Sequence, residues 1–280
     1  MKRIRGRMLR IALMLGFVFL AGRGTVMADT SQVVLIGEAA KGEGGMRDEK
    51  SVIPGKQMQE KGSDQGANSL GLNIAALLPD EETRQLVAVV GSGMDSSSVR
   101  VAYFVRSEEG IWTEEFCVPG FCGYHGMAGD KREGDRRTPV GNYGFVTAFG
   151  ILPDPGSRMP YKQLDEGDFW VDDASSPYYN QMVNTREVEW SWSSAEELKK
   201  IAPAYHYVLA LDYNTAERIP GKGSAIFLHG IDPEKTWTEG CIAIPQDRVK
   251  QLIQELDSTA RIVIMPDNSG YFGNPNMNMK

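Results

Sequence analysis

The stretch SAIFLHGIDPEKTWTEGCIAIP, from Ser224 to Pro245, contains two apolar runs separated by a polar loop. The first run is apolar nearly throughout, as in a strand buried on both faces, and His229 lies at its exit. Cys241 lies at the entrance of the second run. If the loop joins an antiparallel pair, both side chains lie at one end of the sheet, where directly opposed Cβ atoms are about 4.5–5.5 Å apart. The pattern therefore predicts an imidazole and a thiol within hydrogen-bonding reach.

Short apolar segments of the same kind recur between residues 72 and 267 and predict a mainly β domain with flanking helices. Strands at this density favour a β-sandwich of mixed sheets or a barrel-like core. Two helices are expected between the strands. Ser194 followed by acidic residues is typical of one helix start, and Pro245 suits the first position of a helix that runs to Leu256. The segment from Tyr205 to Tyr213 is predicted to be a packing strand.

The first 28 residues have the pattern of a cleavable export signal. Basic residues precede an apolar run from Ile11 to Ala21, and Val26-Met27-Ala28 resembles a signal-peptidase site. The alternative is an uncleaved membrane anchor, but the apolar run is well short of the roughly 20 residues that span a bilayer. We therefore expect an extracytoplasmic protein, secreted or held in the cell wall or periplasm, with no stable membrane span after signal cleavage.

Residues 29–71 predict a flexible linker, because scattered charges and glycines with one short apolar run cannot offset the entropy of ordering. Residues 268–280 predict a disordered tail, which leaves 72–267 for the domain. Without its signal the chain has 24 basic and 37 acidic residues, a net charge of 24 minus 37, or −13. Such an acidic chain is a poor candidate for nucleic acid binding, and we expect a monomer.

One of the three cysteines has no evident partner. Cys117 and Cys122 flank a turn-like insert and either form a disulfide or remain two buried thiols, which leaves Cys241 over. A free cysteine near its ordinary pKa of about 8.5 is only a few per cent thiolate at pH 7, so a neighbouring imidazole that takes its proton makes it a usable nucleophile. His206 lies inside a predicted packing strand. His229, at a strand end, is the candidate base.

Neither a metal nor a cofactor is expected. Cys122 and His125 form a Cys-x-x-His pair that lacks a second pair of ligands. His229, Asp232 and Cys241 lack a clear fourth ligand. Cysteine and histidine chemistry without a metal is therefore the simpler hypothesis.

These residues resemble the signature of the L,D-transpeptidase catalytic domain, the YkuD-like family, in which a His-Gly pair and a Ser/Thr-x-Gly-Cys segment flank a loop. The matching positions are His229-Gly230 and Thr238-Glu239-Gly240-Cys241. A second block, from Lys131 to Phe145, resembles the family's charged turn, and the segment from Lys222 to His229 resembles the lead-in to its histidine. The resemblance extends over residues 86–266.

The chain departs from the family pattern at two positions beside the site. Many members have a second histidine where this chain has Glu239, and an arginine or asparagine where it has Ala243. The loop between His229-Gly230 and Thr238 is also shorter than in many members. These departures are typical of a divergent branch in which the substrate contacts differ while the nucleophile and the base remain.

The resemblance implies an exported Cys-His acyl transferase that forms 3→3 cross-links between peptidoglycan stem peptides through a thioester on Cys241. It makes His229 the base, and assigns Gly230, Thr238 and Gly240 to substrate or oxyanion binding. With water as acceptor, the same site would be an L,D-carboxypeptidase or endopeptidase. A non-catalytic cell-wall-binding module is the alternative from another class. The basic block at 131–137 is either a solvated turn or a contact for stem carboxylates.

We predict that the mature chain begins at Asp29, because Val26-Met27-Ala28 follows a short apolar core. The intact mass of the exported protein measures this directly. A mass that retains residues 1–28 would instead identify the segment as an anchor.

Overall fold

The computed structural model describes residues 68–78 and 82–267. The predicted signal, most of the predicted linker and the predicted tail lie outside these ranges, and their boundaries stay predictions. No helix in the described part of the chain has the length and apolar character that crossing a bilayer requires.

Short strands make up most of the described chain. The strands are β1 Gln85–Gly91, β2 Ser98–Arg106, β3 Trp112–Phe121, β4 Met127–Ala128, β5 Thr138–Pro139, β6 Gly141–Gly150, β7 Tyr161–Gln163, β8 Asp168–Val171, β9 Gln181–Asn184, β10 Ala195–Glu197, β11 Val208–Leu211, β12 Phe227–Gly230, β13 Ile242–Ile244 and β14 Arg261–Met265. The α-helices are α1 Ile74–Leu77 and α2 Gln246–Glu255, and short 3-10 helices span Leu198–Lys200 and Ala204–His206.

The main sheet of the described chain is mixed and closes on itself. Its strand order is β11-β12-β13-β3-β2-β1-β14-β6-β7, and β11 also pairs with β6. The first half of β6 pairs with β14 and its second half with β11, which completes the ring. Parallel pairs occur at β1–β14, β12–β13 and β6–β7. The predicted mainly β class with mixed sheets is confirmed, in a barrel-like arrangement.

Helix α2 supports the strand that carries the candidate base. The helix begins at Gln246, so Pro245 is its N-cap, one residue before the predicted first position, and Val249, Leu252 and Ile253 are fully buried. The helix contacts β11 and β12. Its apolar face joins the core cluster that fills the closed sheet.

Residues 68–78 pack on the outside of the sheet. Leu70, Leu72, Ile74 and Leu77 are buried in a second apolar cluster, together with side chains of β1, β2 and β14. The end of the predicted linker therefore includes one core residue, Leu70. Its burial indicates that the packed chain begins slightly before residue 72.

Two local predictions are wrong. The segment after Ser194 forms β10 and a 3-10 helix instead of an α-helix, because β10 pairs with β8 and this tertiary pairing overrides the local helix-start pattern. The strand predicted from Tyr205 is shorter and begins at Val208. Pro203, which precedes the 3-10 helix, has no N–H to donate to a sheet ladder.

The structure leaves all three cysteines as free thiols. Cys117 is half-buried on β3 and contacts the guanidinium of Arg100 at 3.1 Å. Cys122 is buried and donates to Ser96 O at 3.4 Å. Cys117 and Cys122 are therefore two separate thiols and do not form a disulfide.

We expect Ile74→Ala to lower the free energy of unfolding by about 2–4 kcal/mol, because it empties a buried site under α1. Ala76→Ser, at an exposed position of the same helix, is the control and should change it by less than about 0.5 kcal/mol. Chemical denaturation of the whole protein measures both. Equal effects would show that residues 68–78 do not contribute to the folded core.

Candidate active site

Two short parallel strands carry the candidate site. β12 and β13 pair in parallel, with Leu228 opposite Ile242 and His229 opposite Ala243. The predicted antiparallel pair is therefore wrong. Cys241 lies directly before β13 and beside the first residue of β12. His229 is two residues further along β12. Such a diagonal pair is farther apart than two directly opposed residues.

The connecting loop explains the parallel direction. Thr238 forms a parallel bridge with Gly123, its N–H donates to Cys122 O at 2.9 Å, and its carbonyl accepts from Tyr124 N at 2.8 Å. The loop thus bonds to residues 122–124 and returns to the end of the sheet where β12 begins. The chain then enters β13 in the same direction as β12.

Cys241 is buried, and its sulfur is held by backbone groups. Sγ accepts from Phe227 N at 3.3 Å and donates to Ala225 O at 3.2 Å. Because alternate residues of a strand share a face, Phe227 and His229 lie on the same face of β12. The thiol belongs to a buried cluster that includes Phe227 and Tyr205.

His229 is also buried, and its tautomer follows from its contact. Nδ1 lies 2.8 Å from Gly230 O, and because a carbonyl only accepts, Nδ1 carries the proton. Nε2 is then the basic nitrogen, as a proton acceptor requires. Gly230 thereby orients the imidazole through its carbonyl oxygen.

Tyr205 packs beside His229, in the buried cluster that contains Cys241. Its ring contacts the imidazole of His229 edge-on, with centroids 5.2 Å apart. Its hydroxyl donates to Glu196 Oε2 at 2.6 Å, and Tyr205 belongs to the same buried cluster as Cys241. The structure therefore places His229 and Cys241 at one buried aromatic cluster.

The turn before the thiol is fixed by two threonines. Thr238 Oγ1 donates to Cys241 O at 2.7 Å and accepts from Gly240 N at 3.1 Å. Thr138 Oγ1 donates to Gly240 O at 2.8 Å. In this arrangement, Thr238 and the Gly240 amide bind each other. An oxyanion role for the Gly240 N–H requires that this bond be exchanged for one to substrate.

The basic block is bound to the protein's own carboxylates. Arg136 makes a bidentate contact with Glu239, at 2.6 and 2.9 Å. Its guanidinium also lies over the rings of Tyr124 and Trp237, 4.5 and 4.7 Å from the centroids. The residue that stands in place of the family's second histidine therefore anchors this arginine beside the loop.

The other basic side chains of the block are paired in the same way. Lys131 is buried, and its Nζ lies 2.8 Å from Asp135 Oδ1. Arg137 reaches Asp95 at 3.0 Å and donates to Met127 O at 2.9 Å. The block is thus a structural brace around the loop, with Lys131 close enough to influence the thiol electrostatically.

Residues 94–264 match a family model described as YkuD, the L,D-transpeptidase catalytic domain. The chain belongs to this family. Among solved structures, the crystal structure of L,D-transpeptidase 1 of Mycobacterium tuberculosis is similar at 11% identity with a TM-score of 0.27, and the match covers 65% of this chain. It covers 62% of that chain, so the present chain spans less than two thirds of that structure. None of the curated proteins matches.

The environment of this L,D-transpeptidase domain keeps the candidate pair uncharged at rest. Burial raises the pKa of the Cys241 thiol far above its ordinary value, and the negative charge of Glu196 raises it further. Burial lowers the pKa of His229 to about 4. At neutral pH, the resting protein therefore holds a thiol and a neutral imidazole.

Sequence reasoning missed two groups at the site of the L,D-transpeptidase domain. The sequence pattern placed Glu196 in the first turn of a helix and Tyr205 in a packing strand. Neither lies in the His-Gly or Thr-x-Gly-Cys segments, and the pairing of β10 with β8 that positions Glu196 has no local sequence signal. A tyrosine directly after Ala-Pro-Ala was the one available hint, since Pro203 argues against a strand there.

We expect Gly240→Ala to lower the free energy of unfolding by about 1–3 kcal/mol. Gly240 has a φ of +144°, and a Cβ there would lie 3.0 Å from Arg137 O. Gly129→Ala is the matched control, because a Cβ at Gly129 would meet no atom within 4 Å. Denaturant titration of both variants is the measurement. Equal stability would mean that the turn before the thiol relaxes without strain.

Proposed function

We propose that this protein is an exported peptidoglycan L,D-transpeptidase that uses Cys241 as its nucleophile. The observation that carries the proposal is the position of Cys241 and His229 at one buried aromatic cluster, within a domain of this family. The family acts on peptidoglycan, so the substrates are stem peptides of the cell wall. The predicted export signal supports a site of action outside the cytoplasm.

In the proposed reaction, the Cys241 sulfur attacks the carbonyl carbon of the L-linked diamino acid at the third position of a stem tetrapeptide. The electron pair of the carbonyl moves to oxygen and returns as the bond to the terminal D-Ala nitrogen breaks. The leaving amine takes a proton, and a thioester remains on Cys241. An amine of a second stem attacks the thioester, and the product is a 3→3 cross-link with a regenerated thiol.

His229 is the proposed base that exchanges protons with the reacting groups. Its Nδ1–H is fixed on Gly230 O, so Nε2 accepts a proton and returns it to the leaving amine. The low pKa of the imidazole suits this return step, because a weakly basic group releases its proton readily. The reaction begins from an uncharged pair, and charge develops only as substrate arrives.

The turn from Thr238 to Cys241 is the proposed place for the oxyanion. Amide N–H groups at such a turn stabilise a tetrahedral oxyanion by roughly 3–4 kcal/mol per donor in comparable sites. The Gly240 amide is held by Thr238 Oγ1 in the resting protein. We therefore propose that substrate binding transfers this donor from the threonine to the oxyanion, while Thr238 keeps its bond to Cys241 O.

We expect Cys241→Ser to abolish thioester formation, because a serine hydroxyl is far harder to deprotonate than a thiol. His229→Ala should lower the rate by about 10²–10⁴-fold, the usual contribution of a positioned base. Cys117→Ser and His206→Ala are the controls and should retain activity. The measurement is mass spectrometry of products from purified disaccharide tetrapeptides.

The products also show whether an amine or water accepts the acyl group. A cross-linked dimer that has lost one D-Ala supports transfer to an amine. A tripeptide without dimer supports hydrolysis by the same site. If folded, reduced wild-type protein gives neither product and forms no adduct at Cys241, the enzymatic proposal fails, and a wall-binding module is the remaining interpretation.

A further inference from the structure

Arg136 packs its guanidinium against two aromatic rings beside the turn that leads to Cys241. The guanidinium carbon lies 4.5 Å from the ring centroid of Tyr124 and 4.7 Å from that of Trp237. The two rings meet edge-on, with centroids 5.2 Å apart. Nε and Nη2 of the arginine donate to the two carboxylate oxygens of Glu239, at 2.6 and 2.9 Å. We call the arginine and its two rings the arginine clamp.

The backbone fixes the position of this clamp. Arg136 has a φ of +58°, which is uncommon for a residue with a side chain and persists where surrounding contacts hold it. Its carbonyl accepts from His125 N at 3.1 Å, and Tyr124 N donates to Thr238 O at 2.8 Å. The guanidinium is therefore held beside Glu239, two residues before the candidate nucleophile.

We propose that Arg136 binds a carboxylate of the stem peptide, and that Glu239 occupies this site until the substrate carboxylate replaces it. The proposal rests on the proposed function, because it assigns a substrate contact at the same site. Arg136 is then a specificity-determining residue, and Glu239 is an internal competitor for its guanidinium. The chemical class that the clamp recognises is a peptide carboxylate.

The pair of Arg136 and Glu239 is suited to such an exchange. The exposed fraction is 34% for the arginine side chain and 64% for the glutamate side chain. Exposed ion pairs contribute little to stability, because water solvates both partners well. When one carboxylate replaces another, the arginine keeps a bidentate partner and Glu239 becomes hydrated. The exchange therefore breaks no buried contact and leaves no cation without a partner.

The two rings hold the guanidinium in place while its partner changes. An arginine that stacks on aromatic rings keeps its N–H groups available to a carboxylate in the guanidinium plane. A donor that is already positioned loses less side-chain freedom when it binds a ligand. The clamp thus provides a pre-organised cation even when Glu239 has left it.

The other basic side chains of the block are less suited to bind substrate. Lys131 is buried and ion-paired within the block. Arg137 is bound to a backbone carbonyl as well as to a carboxylate. Arg132 is exposed and pairs with Asp130, but it packs on no ring of the described chain. Within this block, Arg136 combines exposure with a fixed position.

The test is the affinity of a purified disaccharide tetrapeptide for the whole protein carrying Cys241→Ala, measured by isothermal titration calorimetry. This parent variant has no thiol and cannot consume the peptide. We expect Arg136→Gln to weaken binding by at least about 10-fold, because a bidentate bond between charged groups is lost. Glu239→Gln should tighten binding by about 2- to 5-fold, the range of an exposed ion pair, because it removes the competing charge.

The direction of the Glu239→Gln effect separates exchange from a structural role. If Glu239 only positions the arginine, or the pair only holds the turn, both variants weaken binding. Weaker or unchanged binding in Glu239→Gln would therefore overturn the proposal, as would unchanged binding in Arg136→Gln. Thermal unfolding checks that the variants are folded. If Arg136→Gln is unfolded, the Glu239→Gln result decides alone.

Amidated peptides identify which carboxylate is bound. One probe has its terminal carboxyl group converted to a carboxamide, and a second has its other peptide carboxyl groups converted. We expect one of the two to bind the parent protein at least about 10-fold more weakly than the free peptide. The same change should cost Arg136→Gln little, because the two groups form one contact. No loss with either probe, or an equal loss in both proteins, would refute the assignment.

An exposed ion pair in the same block supplies the matched controls. Arg132→Gln and Asp130→Asn break a second arginine–carboxylate pair and should leave the affinity unchanged. If Arg132→Gln weakens binding as much as Arg136→Gln does, the net charge of the block attracts the peptide and the role of Arg136 is refuted.

Failure of this proposal and failure of the proposed function give different results. Turnover of tetrapeptides by the protein with its thiol, with the same KM in Arg136→Gln, leaves the transpeptidase proposal intact and removes the Arg136 contact. Binding that depends on Arg136 and on one peptide carboxylate, without any product or adduct at Cys241, supports the contact and contradicts the enzymatic proposal.

Discussion

The parallel pairing of β12 with β13 is the constraint on which the site depends. In parallel register, Cys241 lies beside the start of β12 and His229 lies near its end. Tyr205 packs on His229 and belongs to the same buried cluster as Cys241. An antiparallel pair of the predicted kind would have placed the two side chains directly opposite each other. The direction of one short strand thus sets the spacing of the two candidate residues.

That direction depends in turn on contacts far from the thiol in sequence. The loop after β12 is hydrogen-bonded to residues 122–124, and its turn is held by Thr138. Arg136 binds Glu239 and the adjacent aromatic rings. Residues 131–138 therefore act as a brace for the loop, although about 100 residues separate the two segments in the chain.

The sequence was sufficient for the class of fold and for the helix α2, because both follow from local patterns of apolar residues. It was also sufficient to single out His229 and Cys241, through spacing and chemistry. It could not decide the direction of β13, since an apolar strand has the same pattern in either orientation. It could not place Glu196 beside Tyr205, because that contact depends on the pairing of β10 with β8. Tertiary pairing, which leaves no local signal, accounts for each of these differences.

Closure of the main sheet has a consequence for how the chain reaches its folded state. β1 pairs with β14, so Leu86 lies opposite Arg261, and the ring is completed only when β6 meets β11. Contacts between such distant segments form slowly, because long loops must close before the contacts can stabilise them. Until the last pairing forms, strand edges remain open to association with other chains. Protection of these edges is therefore acquired only when the ring closes.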